Sequence, residues 1–402
     1  MITFEERRLR SLAVQGRWPE LLGLYRYTRA AAVARGGEPA AAEVAPLGHL
    51  VAYGAPPELA ARLFDRDGGP GTAAGASDHD AGPLWEVLAT RHTWRRLAPL
   101  LGPPAVRRLV AHTRVLLGED LSCGAEPDPE GVPLALESWE VPGWEERGRI
   151  REYLPEGGAR RALVALPATL EGLGPVELPP PGRRAAGLTA TRLLGGLAPW
   201  LEVACVRGSV LDAVAQLVPG SWSPESNGRP VRPVDPPGWE RLAPGVWDTG
   251  RRGVGFSAAE RLPAGWPARE GGTGGRRVAR SRVTGGHIPF CAAYPALVQA
   301  ASGSPALGSA DGRLALWRVL SAMTGETRLP LPGGAVAGVD VPEVNALIAR
   351  LRCFTWCEPA DEVWYVHLAV EDPATGLAWA VSGAEVDLPG PDFLVPDFPG
   401  QG

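Results

Sequence analysis

Lysine is absent from the chain, so all 40 of its Lys-plus-Arg side chains are arginine. Two chemistries leave with it. A Schiff base needs an amine that can shed its proton, and a phosphate-cradling P-loop ends in lysine, so neither operates from this chain alone. Guanidinium stays protonated throughout the physiological range and does not replace lysine as a base. Asparagine is nearly absent too, occurring only at Asn227 and Asn345 among abundant Ala, Gly, Pro and Arg, as a GC-rich coding bias would produce.

Long apolar runs are also missing. Arg, Glu, Gly or Pro interrupts every apolar segment before the ~18 residues that a membrane helix needs, so no membrane partner is expected. The first residues, Met1-Ile-Thr-Phe-Glu-Glu-Arg-Arg8, are charged and lead into no apolar stretch of signal-peptide form, which points to a cytoplasmic protein. Cysteine is sparse: five residues, at 123, 205, 291, 353 and 357, an odd and scattered set that suits reduced thiols better than a disulfide framework. The net charge of -5 is mild and gives no global reason to expect nucleic acid or an anionic membrane as partner.

What is present describes a folded chain. Hydrophobic residues make up 45% and charged residues 21%, which argues against wholesale disorder. At 402 residues the chain has room for two or three domains of roughly 100 to 200 residues each. Residues 1–120 read as helices only. Phe4, Leu9, Leu12, Trp18, Leu21, Leu22, Leu24 and Tyr25 recur at helical spacing, and segments 39–53, 57–65, 83–101 and 104–118 keep that period between Gly and Pro breaks. This predicts an α-helical bundle or short solenoid, with residues 67–83 as a Gly/Ala/Asp-rich loop.

From residue 121 to 402 the pattern becomes mixed. Val132–Trp139, Arg161–Leu166 and Leu201–Val206 read as strands, while Ser209–Leu217, Arg313–Met323 and Pro342–Arg352 have helical spacing. Val363 to Val370, a Glu371-Asp-Pro-Ala-Thr-Gly376 turn and Leu377 to Ser382 read as a C-terminal β-hairpin. The predicted fold class is therefore α+β, an all-helical N-terminal region followed by a mixed α/β domain. A long Pro/Gly/Arg-rich insertion at 219–286 interrupts that domain, and Pro-Gly-Trp turns at 142–144 and 237–239, with a looser copy at 263–266, look like aromatic anchors for loops.

Four residues have the chemistry of a tetrahedral metal set, His287 and Cys291 with Cys353 and Cys357. Their spacing opposes it. A strand at Cys353–Trp356 puts positions i and i+4 roughly 13 Å apart, and Pro289 disfavours helix between the first two, so buried thiols are the favoured reading and no cofactor is predicted. Nucleophilic catalysis has a candidate in Gly255-Phe-Ser257-Ala-Ala259, with His287 or His367 as base and Asp340 or Asp361 as orienter. Only Asp340 or Asp361 before His367 keeps the required chain order, and Ala259 stands where the serine elbow needs Gly. His79, in Ser77-Asp-His-Asp80, sits in the Gly/Ala loop without a second ligand cluster. Gly253-Val-Gly255 lacks the strand, helix and acidic residue of a dinucleotide site, and Gly271–Gly275 lacks the lysine of a phosphate loop.

Charge is distributed unevenly. Residues 251–282 hold eight arginines, among them Arg251, Arg252, Arg276, Arg277, Arg280 and Arg282, against Glu260 and Glu270. Such a segment suits phosphate or nucleic acid, although residues 329–402, with two arginines against eleven carboxylates, offer it an internal counterpart.

Four phrases resemble an uncharacterised family of actinobacterial proteins known only as a domain of unknown function: His112-Thr-Arg-Val-Leu-Leu-Gly-Glu-Asp120, Pro133-Leu-Ala-Leu-Glu-Ser-Trp-Glu140, Gly312-Arg-Leu-Ala-Leu-Trp-Arg318 and the Trp364-containing hairpin. The likeness is spread over about two thirds of the chain. It implies a helical region followed by an α/β region and a cytoplasmic location, and it brings no catalytic residues. The sequence thus leads to a binding or assembly module with a protein partner or small anionic ligand. The alternatives are a metal-independent enzyme acting on a small anionic substrate in an interdomain cleft, and a polyanion binder using residues 251–282.

Overall fold

The computed structural model describes residues 4–34, 41–65, 83–141, 151–155, 159–161, 166, 173–186, 188–198, 200–218, 282–302, 308–325, 338–357 and 365–384. The helical region comprises α1 (Phe4–Val14), α2 (Trp18–Ala34), α3 (Ala41–Gly54), α4 (Pro57–Ala60) with a 3-10 turn at Ala61–Phe64, α5 (Leu84–Arg91), α6 (Trp94–Leu97) and α7 (Pro104–Leu116). Proline sets several starts. Pro57 and Pro104 occupy the first helical positions of α4 and α7, where a missing N–H removes no intrahelical bond. Gly16, at φ +70°, ends α1 and lets Arg17 N–H reach back to the Leu12 carbonyl. The apolar stripes of these helices meet in one core containing Leu21, Tyr25, Val51, Trp85, Leu88 and Val110.

The second region carries β1 (Arg151–Tyr153) and β2 (Ala159–Arg161), which pair as a small ribbon, then β3 (Gly174–Glu177), β4 (Arg183–Arg184), α8 (Thr189–Gly195), β5 (Glu202–Arg207) and α9 (Val210–Val214). It continues through β6 (Arg282–Ile288), α10 (Phe290–Ala301), α11 (Ser309–Thr324), α12 (Val341–Arg350), β7 (Arg352–Cys357), β8 (Tyr365–Asp372) and β9 (Leu377–Ala384). Seven strands form one sheet in the order β3-β6-β7-β8-β9-β5-β4, with every pairing antiparallel. The chain is an α+β protein.

The period-2 pattern of β8 and β9 sorts side chains by size. Leu368, Val370, Leu377, Trp379 and Val381 face the core built with α8, α10, α11 and α12. Ala369, Ala378 and Ala380 point the other way, where short side chains let α9 lie close with Val210, Ala213 and Val214. The hairpin turn is fixed by Asp372, which accepts from Ala374 N–H at 3.0 Å and takes an Arg350 fork at 2.7 and 3.1 Å. That fork ties the end of α12 to the hairpin.

Three sequence expectations change. Val132–Trp139 is not a strand: the Pro133 and Ala135 carbonyls accept from Arg313, at 2.9 and 3.1 Å, instead of joining a ladder. The irregular insertion at 219–286 overlaps β6, which begins at Arg282; its Gly285 is required because a Cβ there would stand 2.5 Å from the Phe354 ring and 2.7 Å from the Thr355 carbonyl. Pro289 does not keep helix away from Cys291; it is the N-cap of α10, where its ring suits an extended entry. The rest of the insertion, residues 67–82, the three Pro-Gly-Trp turns and the tail after residue 388 lie outside the described residues.

One contact joins the two regions at a helix start. Glu86 in α5 is fully buried and accepts from both Ser309 N–H and Ser309 Oγ–H at 2.8 Å, capping α11 from a distant part of the chain. Gly308 makes room, since a Cβ there would collide with the Glu86 carboxylate and the Trp85 ring. Asp311, in the same first turn, has its carboxyl pushed up to about 6 by burial, with Glu86 adding to the shift.

Candidate functional site

The densest polar constellation sits where α7, the 128–140 segment, α10 and α11 meet. Helix α11 turns Ala310, Arg313, Leu314, Trp317 and Leu320 inward, so Arg313 lies within an apolar stripe and is fully buried. A guanidinium has five N–H donors, and here each has an acceptor. Nε and Nη2 grip Glu140 at 2.8 Å each, Nη2 also reaches Ala135 O, and Nη1 serves Pro133 O at 2.9 Å and His112 Nδ1 at 2.6 Å. Glu140 further accepts from Tyr294 OH and Trp317 Nε1, both at 3.0 Å.

Arg313 fixes the His112 tautomer. Guanidinium only donates, so Nδ1 is the acceptor and Nε2–H donates to Asp128 at 3.0 Å. Burial pushes the imidazole's pKa down, against the pull of Asp128. Burial opposes charge on Asp128 as well, but hydrogen bonds from His112 and Arg108 outweigh it and hold the carboxyl well below the ordinary range. Arg108 bridges Asp128 to Glu130, at 2.6 and 2.9 Å, and Glu130 takes an Arg318 fork at 2.6 Å for both bonds. Three arginines therefore meet three carboxylates. With its central donors and acceptors matched and buried, the cluster is a lock between the regions.

The sequence had no reading for this cluster, although three of the phrases that carry the family resemblance contribute His112, Glu140, and Arg313 with Trp317 to it. The available signal was a charge inside a helix's apolar stripe, which demands a buried partner of opposite sign.

The four candidate metal ligands, His287, Cys291, Cys353 and Cys357, do not converge. Cys353 and Cys357 lie at opposite ends of β7 on the same face, roughly 13 Å apart at strand spacing. Cys353 is buried beside Cys291, and burial followed by that neighbour pushes its thiol up to about 12. Among the described residues no group of three His, Cys, Asp or Glu side chains could hold a metal ion. His367 is buried in β8 with its ring 5.2 Å from Trp356, and burial lowers its pKa to about 4. Asp340 caps α12 by accepting from Glu343 N–H at 3.2 Å. Ser257, Asp361, His79, Arg251, Arg252, Arg276, Arg277 and Arg280 lie outside the described residues; Arg282 starts β6.

His287 has a different setting. It is exposed on β6, its ring edge-on to Phe354 at 5.4 Å, and Nδ1–H donates to Cys353 O at 3.1 Å. A carbonyl only accepts, so the neutral ring carries its lone pair on Nε2. His287 lines an open groove of about 480 Å³ at the end of the sheet with Ser209, Val210, Leu211, Arg352 and Glu371. Ser209 is committed to a capping box with Asp212, donating Oγ–H to Oδ2 at 2.8 Å, so it is no free nucleophile. Glu371 accepts from Val210 N–H at 3.2 Å and stands 3.5 Å from Arg352, whose side chain is 64% exposed. Comparison of the chain with protein-family models, with curated proteins and with solved structures gives no match.

Proposed function

We propose that this protein is a binding or assembly module that engages a protein partner through the outer flank of its first helical hairpin. The observation that carries this reading is the distribution of exposed apolar side chains. Of the four large ones exposed among the described residues, three stand on α1 and α2: Val14 at 89%, Tyr27 at 73% and Leu24 at 37%. Leu24 and Tyr27 are one helical turn apart, on a flank of α2 turned away from the buried Leu21, Leu22 and Tyr25. Covering a side chain of this size gains roughly 1.5–3 kcal/mol, and an exposed tyrosine supplies both apolar area and a hydroxyl, as interface anchors do. No helix among the described residues is long and apolar enough to cross a membrane.

Site-specific photocrosslinking tests the reading in the producing cells. A photoreactive residue at position 27 is expected to give a discrete protein adduct, and one at Glu202, exposed on β5, is not. Leu24→Asp should abolish the adduct while the circular dichroism spectrum stays unchanged. Equal labelling from both positions would sink the proposal.

A further inference from the structure

The groove at the end of the sheet is independent of the hairpin and has its own chemistry. Its polar lining consists of one cation, Arg352, one carboxylate, Glu371, and an imidazole whose Nε2 is the acceptor left by the Nδ1–H bond to Cys353 O. Val210 and Leu211 supply an apolar wall. The Arg352–Glu371 contact is 3.5 Å, long beside the 2.7–2.9 Å of a committed charge-assisted bond. Its partners therefore keep hydrogen-bonding capacity, and Arg352 is largely in solvent. In the junction, by contrast, Arg313 meets Glu140 at 2.8 Å with no donor to spare.

The charge balance selects the ligand class. A polyanion would meet Glu371 beside the groove's single cation. A simple cation would meet Arg352. A molecule with both charges satisfies both partners, and the 3.5 Å separation of the groove's own charges is close to the roughly 3 Å between the ammonium and carboxylate of an α-amino acid. We propose that the groove binds a small zwitterion, an apolar α-amino acid, whose carboxylate pairs with Arg352 and whose ammonium donates to Glu371 and His287. The side chain then lies against Val210 and Leu211. The groove is open, about 480 Å³, and has room for one amino acid.

Calorimetric titration of the full chain with leucine and with dileucine tests this, with 4-methylpentanoate and 3-methylbutylamine as probes that each keep one charge. Leucine should bind saturably, and both single-charge probes, like dileucine with its wider charge spacing, should bind at least about ten-fold more weakly. Arg352→Gln and Glu371→Gln should each weaken zwitterion binding about ten-fold. Both variants should keep the thermal unfolding midpoint, because Arg352 is exposed and glutamine retains an acceptor for Val210 N–H. Absence of saturable leucine binding, equal binding of the single-charge probes or of dileucine, or undiminished binding to folded Arg352→Gln protein would each overturn the proposal.

Discussion

The junction and the sheet-end groove are built from the same three residue types and behave oppositely. At the junction, Arg313, Glu140 and His112 are buried and five guanidinium donors meet five acceptors. In the groove, Arg352, Glu371 and His287 line one open surface, with a single ion pair at 3.5 Å. Even the tautomers are reversed. His112 accepts at Nδ1 because an arginine faces it, whereas His287 donates from Nδ1 because a carbonyl does. An Arg–Glu–His set therefore has no function by composition. The number of donors left unmatched separates a lock from a site.

The comparison is broken most severely at its buried side. Arg313→Ala leaves Glu140 buried without its counter-charge and should lower the unfolding free energy by about 3–5 kcal/mol, read from urea denaturation. Pairing Arg313→Met with Glu140→Leu removes both charges and should recover a large part of that loss. A single-variant loss under about 1 kcal/mol would show that the junction is not the lock described.

Next in size is a pH effect. Burial holds the folded His367 pKa near 4 while the unfolded chain protonates at its ordinary value, so the unfolded state takes up the proton first on acidification. The contribution of His367 is full above pH 6.5 and is lost progressively down to pH 4, by about 3 kcal/mol. His367→Gln should flatten the stability profile across that window. An unchanged profile would place the charged imidazole in solvent.

The smallest effect sharpens the contrast. Arg352→Gln breaks an Arg–Glu pair as Arg313→Ala does, yet exposure and a loose contact should hold its cost within about 0.5 kcal/mol in the same urea experiment. A cost comparable with that of Arg313→Ala would erase the distinction between the two clusters.

The legible parts of the fold were those with local causes. The alternation from Val366 to Val370 and from Leu377 to Val381 is visible without a partner, and the spacing over 104–118 gives α7 directly. What escaped depends on distant neighbours. The strand pattern at 132–139 is cancelled by Arg313, whose guanidinium claims two of its carbonyls. Strand β6 hides behind Gly285 and Gly286, and the former is dictated by the Phe354 ring. Helix α10 hides behind Pro289 at its cap and Pro295 within it. Of the groove, His287 was already a candidate, but Arg352 and Glu371 join it only through the register of β6, β7 and β8.

The cap on α11 has a consequence for the chain as it is made. Glu86 and Ser309 are 223 positions apart, so at about 5–20 residues per second Glu86 precedes its partner by roughly 10–45 s during synthesis. Throughout that interval Glu86 has only water to satisfy it, and Glu140 waits similarly for Arg313. The helical region emerges first but is completed only when α11 arrives, and a nascent chain stalled before α11 presents proteases with a bundle whose Glu86 and Glu140 have yet to be covered.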